Sequence, residues 1–226
     1  MKLGVLFSGG KDSVYATYLA MQKEEVVCLI SLISKNDESY MFHTPNIHLT
    51  SLQAEAIGLP LLEYSTSGIQ DEELEDLKQA LSLAVEQYGI EGIVTGALLS
   101  VYQAARIQKI CDDLSLWCYN PLWHVDPDWY MQTLIDEGFE IIISGVFSAP
   151  FGETWLGRQI DTEALRLLRL YAAKYGITLT GEGGELETLV TDAPFFRKKI
   201  VVINAESHYA NYNGRYLINA AEVIDK

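Results

Sequence analysis

The most specific chemistry in the chain lies in six residues, Ser8-Gly9-Gly10-Lys11-Asp12-Ser13. They follow an apolar run, Leu3–Phe7, and open a helical stretch that continues to Ala20. Two consecutive glycines let the backbone turn tightly and approach a ligand with no Cβ in the way. The helix that follows points its first N–H groups and its positive dipole end at the same spot. Lys11 adds a mobile positive charge, and the Ser8 and Ser13 hydroxyls add donors. Together they predict a pocket for a polyphosphate; the alternative is an ordinary Gly-rich strand–helix turn. The Walker spacing GxxxxGK[ST] is absent, so a loop of that type is excluded.

The elements that must position this loop follow from periodicity. Val26–Ile33 is a continuous apolar run, as expected of a strand buried on both faces. A helix is predicted over about Ile47–Ile57, with Leu49, Leu52 and Ala56 on one face and a stop at Gly58 and Pro60. Leu61–Tyr64 reads as the next strand. Asp71, Glu72 and Glu73 then open a long helix, where acidic groups suit the dipole. Its expected stripe is Leu74, Leu77, Leu81, Val85 and Tyr88, and Gly89 ends it. Gly92–Thr95 is a further strand, followed by a helix at about Val101–Asp113. Asp126-Pro127 has the form of an N-cap with proline at the first helical position. Glu140–Val146 reads as one more buried strand.

Strands alternating with helices imply an α/β fold built on a parallel sheet with helices on both faces. Past Ser148 the texture changes to turns, one helix near Thr162–Lys174, β-rich runs at Thr188–Thr191 and Lys199–Ile203, and a short tail strand near Tyr216–Ile218. The sequence therefore predicts a nucleotide-binding domain, carrying the phosphate loop, over 1–147 and a smaller α+β substrate-recognition region over 148–226.

Bulk composition narrows the function. The 226 residues are 49% hydrophobic and 21% charged, the balance of a soluble globular protein. No apolar run approaches the roughly 18 residues of a membrane span. The N-terminus runs at once into a strand, so no signal peptide is expected. The three cysteines, Cys28, Cys111 and Cys118, are widely spaced in apolar surroundings and read as reduced residues of a cytoplasmic protein. No CxxC or Cys/His cluster offers a zinc site. Sixteen Lys+Arg against 31 Asp+Glu give −15, which disfavours direct nucleic-acid binding, since that affinity comes largely from neutralised phosphates. Acidity that serves only solubility is the alternative.

SGGKDS resembles the PP-loop of the N-type ATP pyrophosphatases, which cleave ATP to AMP and pyrophosphate, and the resemblance implies that 1–147 is a HUP-like PP-loop ATP-binding domain. The resemblance implies acyl activation, in which Lys11 and the loop amides stabilise pyrophosphate and Mg²⁺ bridges the phosphates, with Asp12 as a contributor. Further segments narrow it: Met41–Asn46, which contains His43; Gly96–Ile107; Pro121-Leu122-Trp123; Trp155-Leu156-Gly157; and Gly181-Glu182-Gly183-Gly184-Glu185-Leu186-Glu187-Thr188. Over nearly the whole chain these resemble the diphthine–ammonia ligase family, although Leu186 stands where a member normally carries Phe or Tyr.

That resemblance implies ATP-dependent conversion of the carboxylate of diphthine, a modified histidine on translation elongation factor 2, to an amide with ammonium. Diphthine carries a trimethylammonium group, and quaternary cations are held by carboxylates and aromatic faces. Glu182, Glu185 and Glu187 supply acids on a turn that Gly181, Gly183 and Gly184 allow to fold tightly, and Phe151 and Trp155 are candidate aromatic faces; a solvated acidic turn is the alternative. Gly96, Ala97 and Ser100 are expected to line the nucleotide or acyl-adenylate site. Gln103 and Arg106 lie near one face of the helix after that turn, at the carboxyl edge of the sheet where open α/β folds bind ligands. Arg106 could equally form a surface salt bridge and Tyr102 could simply pack. His43 either orients phosphate or nucleophile or caps a helix. No glutaminase-type element is evident, so free ammonium is the expected nitrogen source.

A tRNA-modifying PP-loop enzyme would need a basic surface, and for thiolation a cysteine pair. A small-molecule amide ligase and a nucleotide-binding sensor on the same fold are two further rivals to the ligase reading. The sequence leaves a homo-oligomer open.

Overall fold

The computed structural model describes residues 1–34, 45–69 and 72–226. The chain divides into two compact units, Met1–Trp123 and His124–Lys226.

The first unit alternates strand and helix as the periodicity requires: β1 (Lys2–Leu6), α1 (Lys11–Met21), β2 (Glu25–Ser34), α2 (Thr50–Ile57), β3 (Leu61–Thr66), α3 (Glu73–Tyr88), β4 (Gly92–Val94), α4 (Val101–Leu114) and β5 (Trp117–Tyr119). A 3₁₀ turn, Ile47–Leu49, leads into α2. The strands form one parallel sheet in the order β3-β2-β1-β4-β5. Strand order reverses at β1, so the loops leaving β1 and β4 flank the switch point where open α/β sheets bind ligands. α2 and α3 end at Gly58 and Gly89, both left-handed, as expected. Asp71 lies outside the described residues.

The buried face of α3 carries Leu77, Ala80, Leu81 and Ala84, packed with Cys28, Ile30, Ile93 and Cys111. Val85, expected in the stripe, is exposed. Leu77, Ala80, Leu81 and Ala84 centre the buried face, and helical phase puts Val85 to one side of it.

The second unit contains α5 (Pro127–Asp136), β6 (Glu140–Val146), α6 (Thr162–Tyr175), β7 (Leu186–Asp192), β8 (Lys198–Ala210) and β9 (Asn213–Asp225). Asp126 caps α5 by accepting from Trp129 N at 2.8 Å, with Pro127 in the first turn. The sheet order is β7-β6-β9-β8, and all its pairings are antiparallel. Two expectations are corrected here. The domain break falls at Trp123/His124 rather than 147/148, because β6 pairs with β7 and β9 instead of joining the parallel sheet. A continuous apolar run signals burial on both faces, and it does not name the sheet.

The tail is a long hairpin rather than short strands. β8 and β9 pair from Lys198↔Asp225 to Ala210↔Asn213. Asn211 and Tyr212, with φ of 51° and 62°, make the two-residue turn, the primed geometry that suits strand twist. The dipeptide Asn213-Gly214 sits inside β9 instead. A Cβ on Gly214 would stand 2.9 Å from the His208 carbonyl and 3.0 Å from Leu156 Cδ1, so glycine is there for close packing.

Phe151 and Trp155 are corrected as well. Both are buried and meet edge to face at 5.1 Å, with Tyr171 against them. They form an aromatic core of the second unit and present no face to a ligand.

Candidate functional site

The loop after β1 is built by hydrogen bonds that seal the end of the sheet. Phe7 N donates to Ile30 O at 2.8 Å, and Ser31 Oγ donates to Phe7 O at 2.6 Å. The chain leaves the sheet at Ser8. Gly9 has φ of +79°, a conformation L side chains rarely adopt. Gln53, fully buried on α2, donates from Nε2 to Gly9 O at 2.8 Å, and a Cβ on Gly9 would overlap Gln53 Oε1.

Gly10 is the N-cap of α1 and offers no side-chain cap. Ser13 Oγ donates to Gly10 O at 3.1 Å and accepts from Ser8 N at 3.2 Å, with Ser8 Oγ also at 3.2 Å. The two hydroxyls, expected as ligand donors, tie the two ends of the loop together. The expected freedom of Lys11 is corrected too. Lys11 is 3% exposed, and its Nζ lies 3.0 and 2.9 Å from the two Asp12 carboxylate oxygens. A fixed cation beside a helix N-terminus makes a preorganised field for anionic oxygens.

The loop after β4 meets this one directly. A Cβ on Gly96 would fall 2.8 Å from both Asp12 C and Ser13 N, so only glycine lets the two segments touch. Ala97 N donates to Thr95 Oγ1 at 3.2 Å, and Thr95 Oγ1 donates to the Asn120 side-chain oxygen. Thr95 N donates to Tyr119 O at 3.0 Å. Ala97 is buried and Ser100 half-buried at the start of α4. Arg106 stacks on Tyr102, one helical turn away, with Cζ 3.3 Å from the ring centroid, and NH1 donates to Tyr102 O at 3.4 Å. These two residues therefore act as one unit, and Arg106 forms no salt bridge among the described residues. Gln103 is placed only by its position in α4, and His43 lies outside the described residues.

In the second unit, Gly181 and Gly184 both have φ of +79°, and Gly184 N donates to Gly181 O at 2.9 Å, closing a tight turn. Glu182 is half-buried and Gly183 exposed on it. The Glu185 carboxylate turns inward, accepting from Thr178 N and Thr178 Oγ1 at 2.8 Å each. A Cβ on Gly183 would stand 2.6 Å from that carboxylate. Leu186 begins β7 with its side chain buried, so its position is a packing one.

Glu187 is different. Its Oε2 is buried with no hydrogen-bond partner, and burial pushes the carboxyl up to about 7 against the opposing pull of the Arg215 guanidinium.

The structure thus brings together Ser8, Gly9, Gly10, Lys11, Asp12, Ser13, Gly96 and Ala97, while Glu182–Glu187 belong to the other unit. Gln53, Thr95, Asn120, Thr178 and Arg215 were not foreseen. Gln53 alone had a signal: it lies four residues after Leu49 and three before Ala56, so it is a polar residue in an apolar stripe. Among the described residues no group of three or more His, Cys, Asp or Glu side chains could hold a metal ion. The one carboxylate at the loop, Asp12, suits a Mg²⁺ that is held mainly by phosphates. No described helix is long and apolar enough to cross a membrane.

Comparison with known proteins agrees with this layout. The model of the diphthamide synthase N-terminal domain matches residues 1–117, and that of the diphthamide synthase C-terminal domain matches 126–224. A diphthine–ammonia ligase from Bos taurus is 34% identical over 91% of this chain and 84% of its own length. The Homo sapiens diphthine–ammonia ligase is 32% identical over the same shares. A solved structure described as a predicted subunit of tRNA methyltransferase from Methanocaldococcus jannaschii is 16% identical, with a TM-score of 0.44 over 86% of this chain and 98% of that one, a likeness too distant to bear on function. With both domain models matched in order, and relatives aligned along most of their length, the chain belongs to the diphthine–ammonia ligase (diphthamide synthase) family.

Proposed function

We propose that this protein amidates the diphthine carboxylate of translation elongation factor 2, using ATP and ammonium, through an acyl-adenylate. The observation that carries the reading is the packing of Gly96 against the Asp12–Ser13 backbone. It joins the Gly-Gly-Lys turn to the loop after β4 at the point where strand order reverses, in a chain of this family.

The substrate carboxylate attacks the α-phosphorus of ATP, and the bond to pyrophosphate breaks. Lys11 and the first amides of α1 take up the charge of the leaving pyrophosphate. Ammonia then attacks the acyl carbon, AMP leaves with the C–O bond electrons, and the nitrogen loses its extra proton to solvent or a base. Asp12 is the carboxylate at the loop that would share a Mg²⁺ bound with the nucleotide, and such an ion would supply neutralisation of phosphate charge. Ala97 and Ser100 face the nucleotide, and the Tyr102–Arg106 stack offers a cation for the carboxylate or phosphate, with Gln103 and His43 as further contacts. In the second unit, the turn around Glu182, Gly183, Gly184 and Glu185 recognises the protein substrate. The reaction fits a cytoplasmic location.

Purified protein incubated with diphthine-bearing elongation factor 2, ATP and ammonium should yield AMP, pyrophosphate and the amide, read by mass spectrometry of the modified peptide. Formation of ADP, or amidation without ATP, would end this reading.

A further inference from the structure

The β6–β7 and β6–β9 registers set three side chains in a row on one face of the second sheet. Gly145 is the Cα partner of Glu187 on one side and of Arg215 on the other. Directly opposed residues of antiparallel strands project to the same face. Gly145, with no side chain, leaves space between them, and Phe147, two residues on, lays its ring there. A Cβ on Gly145 would stand 2.7 Å from Phe147 Cε2 and Cζ and 3.3 Å from Glu187 Cβ.

Arg215 Cζ lies 5.9 Å from the Phe147 ring centroid. Glu187, Phe147 and Arg215 are each half-buried. Among the described residues no ion pair joins Glu187 to Arg215, and Glu187 Oε2 and Arg215 Nε are both buried without a hydrogen-bond partner. An unmade bond to a charged group is costly, so a carboxylate, an aromatic face and a guanidinium held this way form a site that is complete only with a ligand.

The needs of the two ends are opposite. Glu187 attracts a cation by charge and the Phe147 face by its ring quadrupole, a pairing that holds a quaternary ammonium without any hydrogen bond from it. Arg215 Nε–H suits a carboxylate or the carbonyl oxygen of its activated form. We propose that Glu187, Phe147 and Arg215 together recognise a betaine-type arm, a trimethylammonium and a carboxyl group carried on one carbon. This rests on the proposed function for the identity of the natural arm, and it assigns Phe147 and Arg215 a specificity role.

Two measurements separate the two readings. The first needs no turnover. The protein with ¹⁵N-labelled arginine and labelled phenylalanine is titrated with the trimethyl betaine of 2-aminobutyrate, with tetramethylammonium and with butyrate. The betaine should shift both the Arg215 Nε–H signal and the Phe147 ring signals, tetramethylammonium only the ring, and butyrate only Nε–H. The second compares elongation factor 2 bearing the trimethylated arm with the same protein bearing the unmethylated amine. Wild type should prefer the former, and Glu187→Gln and Phe147→Leu should reduce the kcat/KM ratio about tenfold while the KM for ATP holds. Arg215→Lys should raise the KM for both protein substrates. A wild type that amidates diphthine while both variants keep its preference, with Arg215 and Phe147 unmoved by the betaine, overturns the site. A wild type with no turnover but betaine-shifted Arg215 and Phe147 signals overturns the reaction and leaves the site standing.

Discussion

Gly96 and Ser13 approach so closely that a Cβ on Gly96 would lie 2.8 Å from the Ser13 amide nitrogen. The atoms it would meet are backbone, at the first turn of α1, so no flexible side chain can move aside. Gly96→Ala must push the two loops apart. The expected cost in stability is about 1–3 kcal/mol, together with a rise in KM for ATP. Urea unfolding and AMP formation against ATP concentration read the two effects; an unchanged KM for ATP removes this contact from the nucleotide site.

Gln53 and Gly9 make the second test of the loop. Gln53→Ala deletes the buried donor to Gly9 O and leaves that carbonyl unpaired, a loss of about 1–3 kcal/mol. Gly9→Ala should be worse, because the position has φ of +79° and Gln53 already occupies the space. Thermal unfolding, with and without ATP, should show the nucleotide protecting both variants less than wild type.

Lys11 and Asp12 pair a buried ammonium with a half-buried carboxylate at the start of α1. Lys11→Ala is expected to lower the rate of AMP formation by at least roughly 10²-fold, and Asp12→Ala to do likewise while far-UV circular dichroism stays unchanged. Near-wild-type turnover in either variant means that pyrophosphate departs elsewhere.

Glu185 and Thr178 should behave as one unit. Glu185→Ala releases both hydrogen bonds from Thr178, and Thr178→Val removes one of them. Both variants are expected to raise the KM for the protein substrate several-fold with the KM for ATP little changed. Equal losses for both substrates would deny the turn its substrate role.

Glu187 gives stability a pH signature. Burial raises its folded-state pKa from 4.5 to about 7, so the folded protein holds a proton that the unfolded chain has released. Between those values stability falls as pH rises, because the unfolded state binds fewer protons. The loss is complete above the folded pKa. Glu187→Gln should remove this slope, leaving the variant more stable than wild type above pH 7 by roughly 3 kcal/mol. Urea unfolding from pH 4.5 to 8 checks it; parallel curves for the two proteins contradict the shift.

Much of the first unit was legible in sequence because local chemistry and tertiary role coincide there. The Gly58 and Gly89 stops and the Gly9-Gly10 turn, like the Asp126-Pro127 cap in the second unit, each rest on a backbone requirement that one or two residues meet. Thr95 and Asn120 were not legible. Their hydrogen bond joins residues 25 positions apart, and nothing local marks a threonine or asparagine for such a partner. The length of the final hairpin was hidden too. Its exposed faces lack an apolar pattern, and the inviting Asn213-Gly214 pair lies within β9 rather than at the turn.

The sequence alone determined the phosphate-loop chemistry, the alternating strand–helix order and the acidic character, since each depends on residue types at short spacing. Tertiary structure alone decided that β6 pairs with β7 and β9, that Phe151 and Trp155 are core, and that Glu187 and Arg215 share one sheet face across Gly145. Strand pairing is a choice among distant partners of similar apolar character. It is made by the packing of the whole unit, and no short stretch of chain encodes it.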